Sequence, residues 1–286
     1  MTQATGAQAL ARSFAITGDR RYAAAARSAY RALTRPAPRG AAVRGRDGLV
    51  AHLAMYSFRP GMRVLNGEEQ SLIGLADYAR ITHDRDAARL ARRGARELAT
   101  HLPAFDTGAW TLYDIGGAEA DLNYHRLAAR FAKGMCTRGL ARDFCPAAAR
   151  FARYTRQAPR LGVAVPAHVL APRRVTIAFA ASKQTSAHLV VRDRTGAVVL
   201  DTRLALGRFG ARVVVPIRRG GAYTVTLGAS AVNGMTATRT VSLTATMPKP
   251  KPKPKKRAEE DAAAADRPAA LRSKHSGAAE RSRTTR

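Results

Sequence analysis

The chain has 286 residues, enough for one large or two medium domains, each with a real core. Its 49 basic and 20 acidic residues leave a formal charge of +29, spread as +12 over residues 1–159, +10 over 160–246 and +7 over 247–286. A charge carried by every part of the chain is no tail effect, and no apolar run reaches the ~18 residues of a membrane-spanning helix; a polyanionic partner is favoured, and a solvated arginine-rich surface is the plainer alternative.

Residues 1–158 read as paired helices. TQATGAQALARSFAITGD carries apolar residues at Leu10, Phe14 and Ile16 and stops at Gly18-Asp19. Asp19 caps RRYAAAARSAYRAL, which Pro36, Pro38 and Gly40 end. VLNGEEQSLIGLADYARIT places Leu65, Leu72, Leu75, Ala76 and Ala79 on one helical face. Asp84 opens DRDAARLARRGARELATHL, with Ala88, Leu90, Ala91, Ala95 and Leu98 inward. NYHRLAARFAKGM and PAAARFARYTRQ follow, Pro146 suiting a first helical turn. Between the fourth and fifth helices lies LPAFDTGAWTLYDIGGAEADLNYH, with three glycines, four acids, Trp110, two tyrosines and His125. Paired helices with one long connection at an end predict an α/α toroid or part of one. Met1 leads straight into the first helix with no signal peptide ahead of it, so an N-terminally incomplete helical domain is expected.

Cys136 and Cys145 fit no zinc-ligand spacing. They read either as a small disulfide, implying an oxidising compartment, or as two reduced buried thiols.

Residues 160–246 change character. VTIAFAAS, AHLVVRDRTGAVVLDTRLAL, ARVVVPIR and YTVTLGASAVNGMTATRTVSLTAT are short β-branched runs punctuated by RTG, RRGG and VNG. Roughly seven strands predict an Ig-like β-sandwich with no catalytic spacing, a spacer or surface-binding module. Residues 247–286 begin MPKPKPKPKKR, where alternating Lys-Pro favours polyproline II; the rest lacks large apolar residues and is expected to be a disordered basic tail. That tail suits an anionic cell-envelope surface, and a solvated linker is its alternative.

Three blocks carry a resemblance. VLNGEEQSLIGLADYA, LPAFDTGAWTLYDIGG and DLNYH occur in the order and spacing of the C-terminal domain of D-glucuronyl C5-epimerases, and the chain resembles that family over roughly residues 1–155. The matching positions include Asn66, Gly67, Ser71–Leu75, Asp106–Gly108, Thr111, Tyr113, Asp114, Tyr124 and His125. The element pattern predicts a multidomain protein, α then β, with the β region and tail outside the resemblance, and the resemblance agrees with a partial α/α toroid for the helical part. The resemblance also implies inversion of C5 in a glucuronate-type residue of a glycosaminoglycan-like acidic polysaccharide, without cofactor or metal. Such inversion needs an acid/base group on each face of the ring and stabilisation of an enediolate-like charge. By position, Tyr124 corresponds to the family's catalytic tyrosine and Tyr113 to a second cleft tyrosine. Tyr56, His125, Trp110, Asn66 and Arg59 are expected at the substrate.

Two departures stand out. Where the family has its glutamate this chain has Met55, and its arginine and histidine positions are Gly116 and Gly117. Glu68, Glu69, Arg59 and Arg63 are the charged candidates nearby. The alternatives to an epimerase are therefore a non-catalytic acidic-glycan-binding protein and a uronan lyase, in which one tyrosine serves as base and then acid. A nucleic-acid role is not expected, since no aromatic-basic interleaving accompanies the charge. The expected location is extracytoplasmic.

Overall fold

The computed structural model describes residues 1–249; from residue 250 the expected tail lies outside the described residues. Six helices come first: α1 (Thr2–Thr17), α2 (Arg20–Thr34), α3 (Leu65–Thr82), α4 (Arg85–Phe105), α5 (Leu122–Thr137) and α6 (Phe144–Tyr154). Successive helices pack as pairs, and α3 lies at the centre against α1, α4 and α5. The capping expected from the sequence is present. Gly18, with φ 70°, closes α1 by donating its N–H to the Phe14 carbonyl. Asp19 accepts from the Arg21 N–H, and Asp84 from those of Asp86 and Ala87.

The middle helix is buried almost end to end, which its small residues permit. A Cβ at Gly74 would lie 2.6 Å from the Ala4 carbonyl oxygen, so the bare glycine lets α1 and α3 approach closely. Asp77 on α3 receives hydrogen bonds from Gln8 (2.7 Å) and Arg12 (2.6 Å) of α1 and from Arg138 (2.8 Å) beyond α5. Burial pushes the Asp77 carboxyl up, but these donors outweigh it and hold the group at about 2. Cys136 and Cys145 form a disulfide joining α5 to α6.

The hairpin of β1 (Ala42–Arg44) and β2 (Val50–Leu53) between α2 and α3 was not expected. Its strands are too short to show alternation in the sequence. The long connection also begins later than the sequence suggests, because α4 runs through Pro103 to Phe105.

Eight further strands follow: β3 (Leu161–Ala164), β4 (His168–Leu170), β5 (Arg173–Ala181), β6 (Thr185–Arg192), β7 (Val198–Leu206), β8 (Ala211–Ile217), β9 (Gly221–Ala231) and β10 (Thr236–Thr246). They form a five-stranded sheet in the order β4-β10-β9-β6-β7 and a three-stranded sheet in the order β3-β5-β8. Alternation sets the inward faces: Val175, Ile177 and Phe179 from one sheet share a core with Tyr223, Val225 and Leu227 from the other. A second, larger core lies among the helices and includes Leu33, Leu75, Leu98, Phe105, Trp110 and Phe151. Among the described residues no helix is long and apolar enough to cross a membrane.

Residues 1–247 form one compact unit. Where the helices meet the sheets, a buried lysine between β5 and β6, Lys183, donates to the carbonyls of Tyr154 (2.9 Å) and Gln157 (3.0 Å). Asn233, in the β9–β10 turn, donates to the Thr155 (3.1 Å) and Gln157 (2.9 Å) carbonyls. The last carbonyls of α6, which no helix continues to satisfy, are thus capped from the β region.

Candidate functional site

The site is built from the connection between α4 and α5. Asp106 starts it as scaffold, accepting from the Gly108 N–H (2.9 Å), Arg150 (3.1 Å) and the Tyr154 hydroxyl (3.0 Å). Thr107 closes a turn by bonding both the N–H and the carbonyl of Trp110, with Gly108 at φ 77° supplying the left-handed residue. Further along, the Tyr113 N–H donates to the Ala118 carbonyl (3.0 Å). The start of α3 then pins the loop from outside: the Leu65 N–H donates to the Tyr113 carbonyl (3.2 Å), and the Ile115 N–H to the Arg63 carbonyl (3.2 Å). Asp121 caps α5 by accepting from the Tyr124 N–H (2.8 Å).

These constraints bring three tyrosines together. The Tyr56 and Tyr113 hydroxyls are 2.8 Å apart, though 57 positions separate them in the chain. The Tyr113 and Tyr124 rings meet edge to face at 4.9 Å between centroids. Tyr56 and Tyr113 are half-buried and Tyr124 is exposed, so the group opens to solvent on the Tyr124 side. Burial pushes the Tyr113 phenol well above its ordinary value, and the hydrogen bond with Tyr56 and the nearby Tyr56, Tyr124 and Asp114 add to the rise. Tyr113 is therefore a neutral proton donor at pH 7. Arg59 is exposed in the turn that follows Tyr56, with no ion-pair partner among the described residues.

Three of the expected sugar contacts lie inside the fold instead, and for them the expectation is corrected. Trp110 and His125 are both 0% exposed and Asn66 is 4% exposed. The indole of Trp110 stacks on the His125 ring at 3.6 Å and donates to the Ala120 carbonyl at 2.7 Å. His125 lies 3.0 Å from the Phe151 carbonyl through Nε2 and 2.8 Å from the Thr111 hydroxyl through Nδ1. A carbonyl only accepts, so Nε2 carries the proton and Nδ1 accepts from Thr111. Burial lowers the His125 pKa to about 4, the bond to the Phe151 carbonyl opposing it and the positive charge of Lys183 adding to the fall. Trp110 and His125 are thus part of the packed interior, and their ring faces are covered by the fold and not open to a sugar.

Glu68 and Glu69, the carboxylates at the start of α3, are already engaged or enclosed. Glu68 takes two hydrogen bonds from Arg63, at 2.9 and 2.7 Å, and Arg63 also approaches Glu97 at 3.8 Å. Glu69 is 0% exposed, and neither of its oxygens has a partner among the described residues. Burial, and then the neighbouring charge of Glu68, push its carboxyl well above the usual range. Met55 packs on the backbone of Gly67, where an added Cβ would fall 2.8 Å from its sulfur. Among the described residues no group of three His, Cys, Asp or Glu side chains could hold a metal ion.

Lys183 escaped the sequence reading. Its ammonium lies 4.8 Å from the centroid of the Trp110 ring. Glu119, in the same loop, accepts from the Gln184 N–H at 2.7 Å. A lone lysine in ASKQTS carries no periodic or motif signal that would have marked it.

A family described as the D-glucuronyl C5-epimerase C-terminus matches residues 1–150. A D-glucuronyl C5-epimerase of Caenorhabditis elegans is 32% identical over 127 residues, 40% of this chain and 20% of that protein. An uncharacterized protein of Methanocaldococcus jannaschii is 28% identical over 118 residues, 40% of this chain and 38% of that one. The chain thus spans well under half the length of the curated relatives it matches. Among solved structures, CopC from Methylosinus trichosporium OB3b aligns with 31% of this chain and 95% of its own at 13% identity and a TM-score of 0.27. A family 76 glycoside hydrolase from a bovine Bacteroides thetaiotaomicron strain aligns with 31% of this chain and 20% of its own, at 15% identity and a TM-score of 0.22. Likenesses this slight bear on neither fold nor function.

Proposed function

The chain belongs to the D-glucuronyl C5-epimerase C-terminus family, and on that premise we propose that it is an epimerase-like protein acting on glucuronate-type residues of an acidic polysaccharide. The observation that carries this reading is the convergence of Tyr56, Tyr113 and Tyr124, side chains from three segments, on one partly open site. In this reading Asp114, the half-buried carboxylate beside Tyr113, takes the C5 proton from one face and Tyr124 delivers another to C5 from the open side. Tyr113, held neutral, donates a hydrogen bond to the sugar carboxylate as charge develops on it, and Tyr56 orients Tyr113. Arg59 lies free to meet the carboxylate. The helical pairs, residues 1–158, are read as part of an α/α toroid, residues 160–246 as an Ig-like sandwich, and the Cys136–Cys145 disulfide supports an extracytoplasmic location.

A second reading rests on Met55. A thioether cannot take a proton, and Glu68 is bound to Arg63, so neither of them supplies a base where the family has its glutamate. On that ground the protein binds acidic glycan without turnover. Incubating the full chain with a glucuronate-containing polymer in deuterated water separates the two. An epimerase places deuterium at C5, and Tyr124→Phe abolishes the label. Saturable binding with no label in the wild type leaves the binding role. An unsaturated, ultraviolet-absorbing product would instead mark a lyase.

A further inference from the structure

One face of α4 is lined with arginine. Arg85, Arg89, Arg92 and Arg96 recur every three or four positions and so stack on successive turns, over a length of roughly 16 Å. Arg44 of β1 and Arg93 join them around a pocket of about 450 Å³. Part of this charge is already answered: Arg93 pairs with Asp47 at 2.6 Å, Arg89 pairs with Asp86, and Arg44 donates to the Gly48 carbonyl at 2.6 Å. Arg92 and Arg96 are exposed and have no hydrogen-bond or ion-pair partner among the described residues. Between the guanidinium groups lie apolar side chains, and Leu49 is 52% exposed.

From this arrangement we propose that the α4 arginine face, centred on Arg92 and Arg96, is a second binding surface for a linear acidic polysaccharide, outside the tyrosine site. Three features select that partner. Guanidinium groups bind carboxylates through paired hydrogen bonds, and a row of them one helical turn apart matches a chain with repeated charges better than a compact anion. Leu49 offers an apolar surface to the C–H face of a sugar ring. The pocket lining contains no aromatic residue, whereas single-stranded nucleic acid is held largely by stacking on aromatic rings. The identity of the polymer as a uronan rests on the function proposed above; the surface itself rests on the arginines.

Alginate is a suitable probe, with the full chain titrated at several salt concentrations. Arg92→Glu/Arg96→Glu is compared with Arg173→Glu/Arg174→Glu, an equal charge reversal at exposed positions on β5. The α4 variant is expected to lose about tenfold or more in alginate affinity and to show a shallower salt dependence, and the β5 variant to lose less than about twofold. Equal losses in the two variants would overturn the proposal, as would single-stranded DNA of matched charge binding the wild type as tightly as alginate. Isotope exchange separates this from the epimerase reading. If the α4 variant loses alginate while the wild type never incorporates label, the surface stands and the epimerase falls. If label enters and the α4 variant keeps both affinity and KM for the polymer, the surface falls and the epimerase stands.

Discussion

The ammonium of Lys183 lies 4.8 Å from the centroid of the Trp110 ring, and the same indole stacks on His125 at 3.6 Å. A residue of the β region therefore packs against the interior of the connection between α4 and α5. Lysine suits the place because one group both faces the π cloud and caps two carbonyls. Lys183→Met is expected to keep the packing volume but to lose the charged contacts, at a cost of about 2 kcal/mol. Trp110 is the chain's one tryptophan, so its fluorescence reports this junction alone. The variant should unfold at lower denaturant and emit at longer wavelength in the native state. An unchanged midpoint would show that Lys183 supports nothing.

His125 makes stability depend on pH. Its folded pKa, about 4, is below the ordinary 6.5, so between these values the unfolded chain binds the proton and the folded chain does not. Stability is then full above pH 6.5 and falls as pH drops toward 4, by about 3 kcal/mol at most. Denaturant titrations of wild type and His125→Gln across that window should diverge by this amount, the wild type losing more stability than the variant as pH falls.

Glu69 acts in the opposite direction. Its raised pKa means that the folded chain holds a proton the unfolded chain releases, so stability falls as pH rises above the usual carboxylate range. Glu69→Gln removes that release and should stabilise the protein at pH 7 by about 2 kcal/mol. Less stabilisation at pH 5 than at pH 7 is the expected signature. A destabilised variant at both would mean that the carboxylate has a partner in solution.

The Tyr56–Tyr113 bond can be tested through titration. Burial is the largest cause of the raised Tyr113 pKa, and the bond with Tyr56 is the next. Tyr56→Phe should therefore lower the Tyr113 pKa toward its ordinary value without restoring it fully. Ultraviolet difference titration of wild type, Tyr56→Phe and Tyr113→Phe follows the change. If the most alkaline tyrosine transition is the same in the first two, the hydroxyls do not interact.

What could be read in the sequence was what local chemistry decides. Gly18, Asp19 and Asp84 set helix ends with their own backbone and side-chain groups, and the structure keeps those ends. The alternating faces of β5 and β9 were legible for the same reason. The order of three blocks sufficed to point to the family that matches residues 1–150. The interior placement of Trp110 and His125 was not legible, because it depends on partners far along the chain: Phe151 for the imidazole and Lys183 for the indole. The fate of Glu68 and Glu69 likewise could not be read from adjacent positions. One side chain turns to Arg63 and the other finds no partner among the described residues. Cys136 and Cys145 left two options open, and the turn between α5 and α6 closes one of them by bringing the sulfurs together.

The contact between Met55 and Gly67 has a constructive consequence. Gly67 belongs to the first turn of α3, where backbone N–H groups are left over by the helix and negative charge is favoured. An engineered carboxylate reaching the thioether's resting place in Met55→Glu would arrive beside those N–H groups, next to Tyr56 in sequence. A newcomer there should stay ionised, so the scaffold is ready to receive an acid–base partner that its present occupant does not provide.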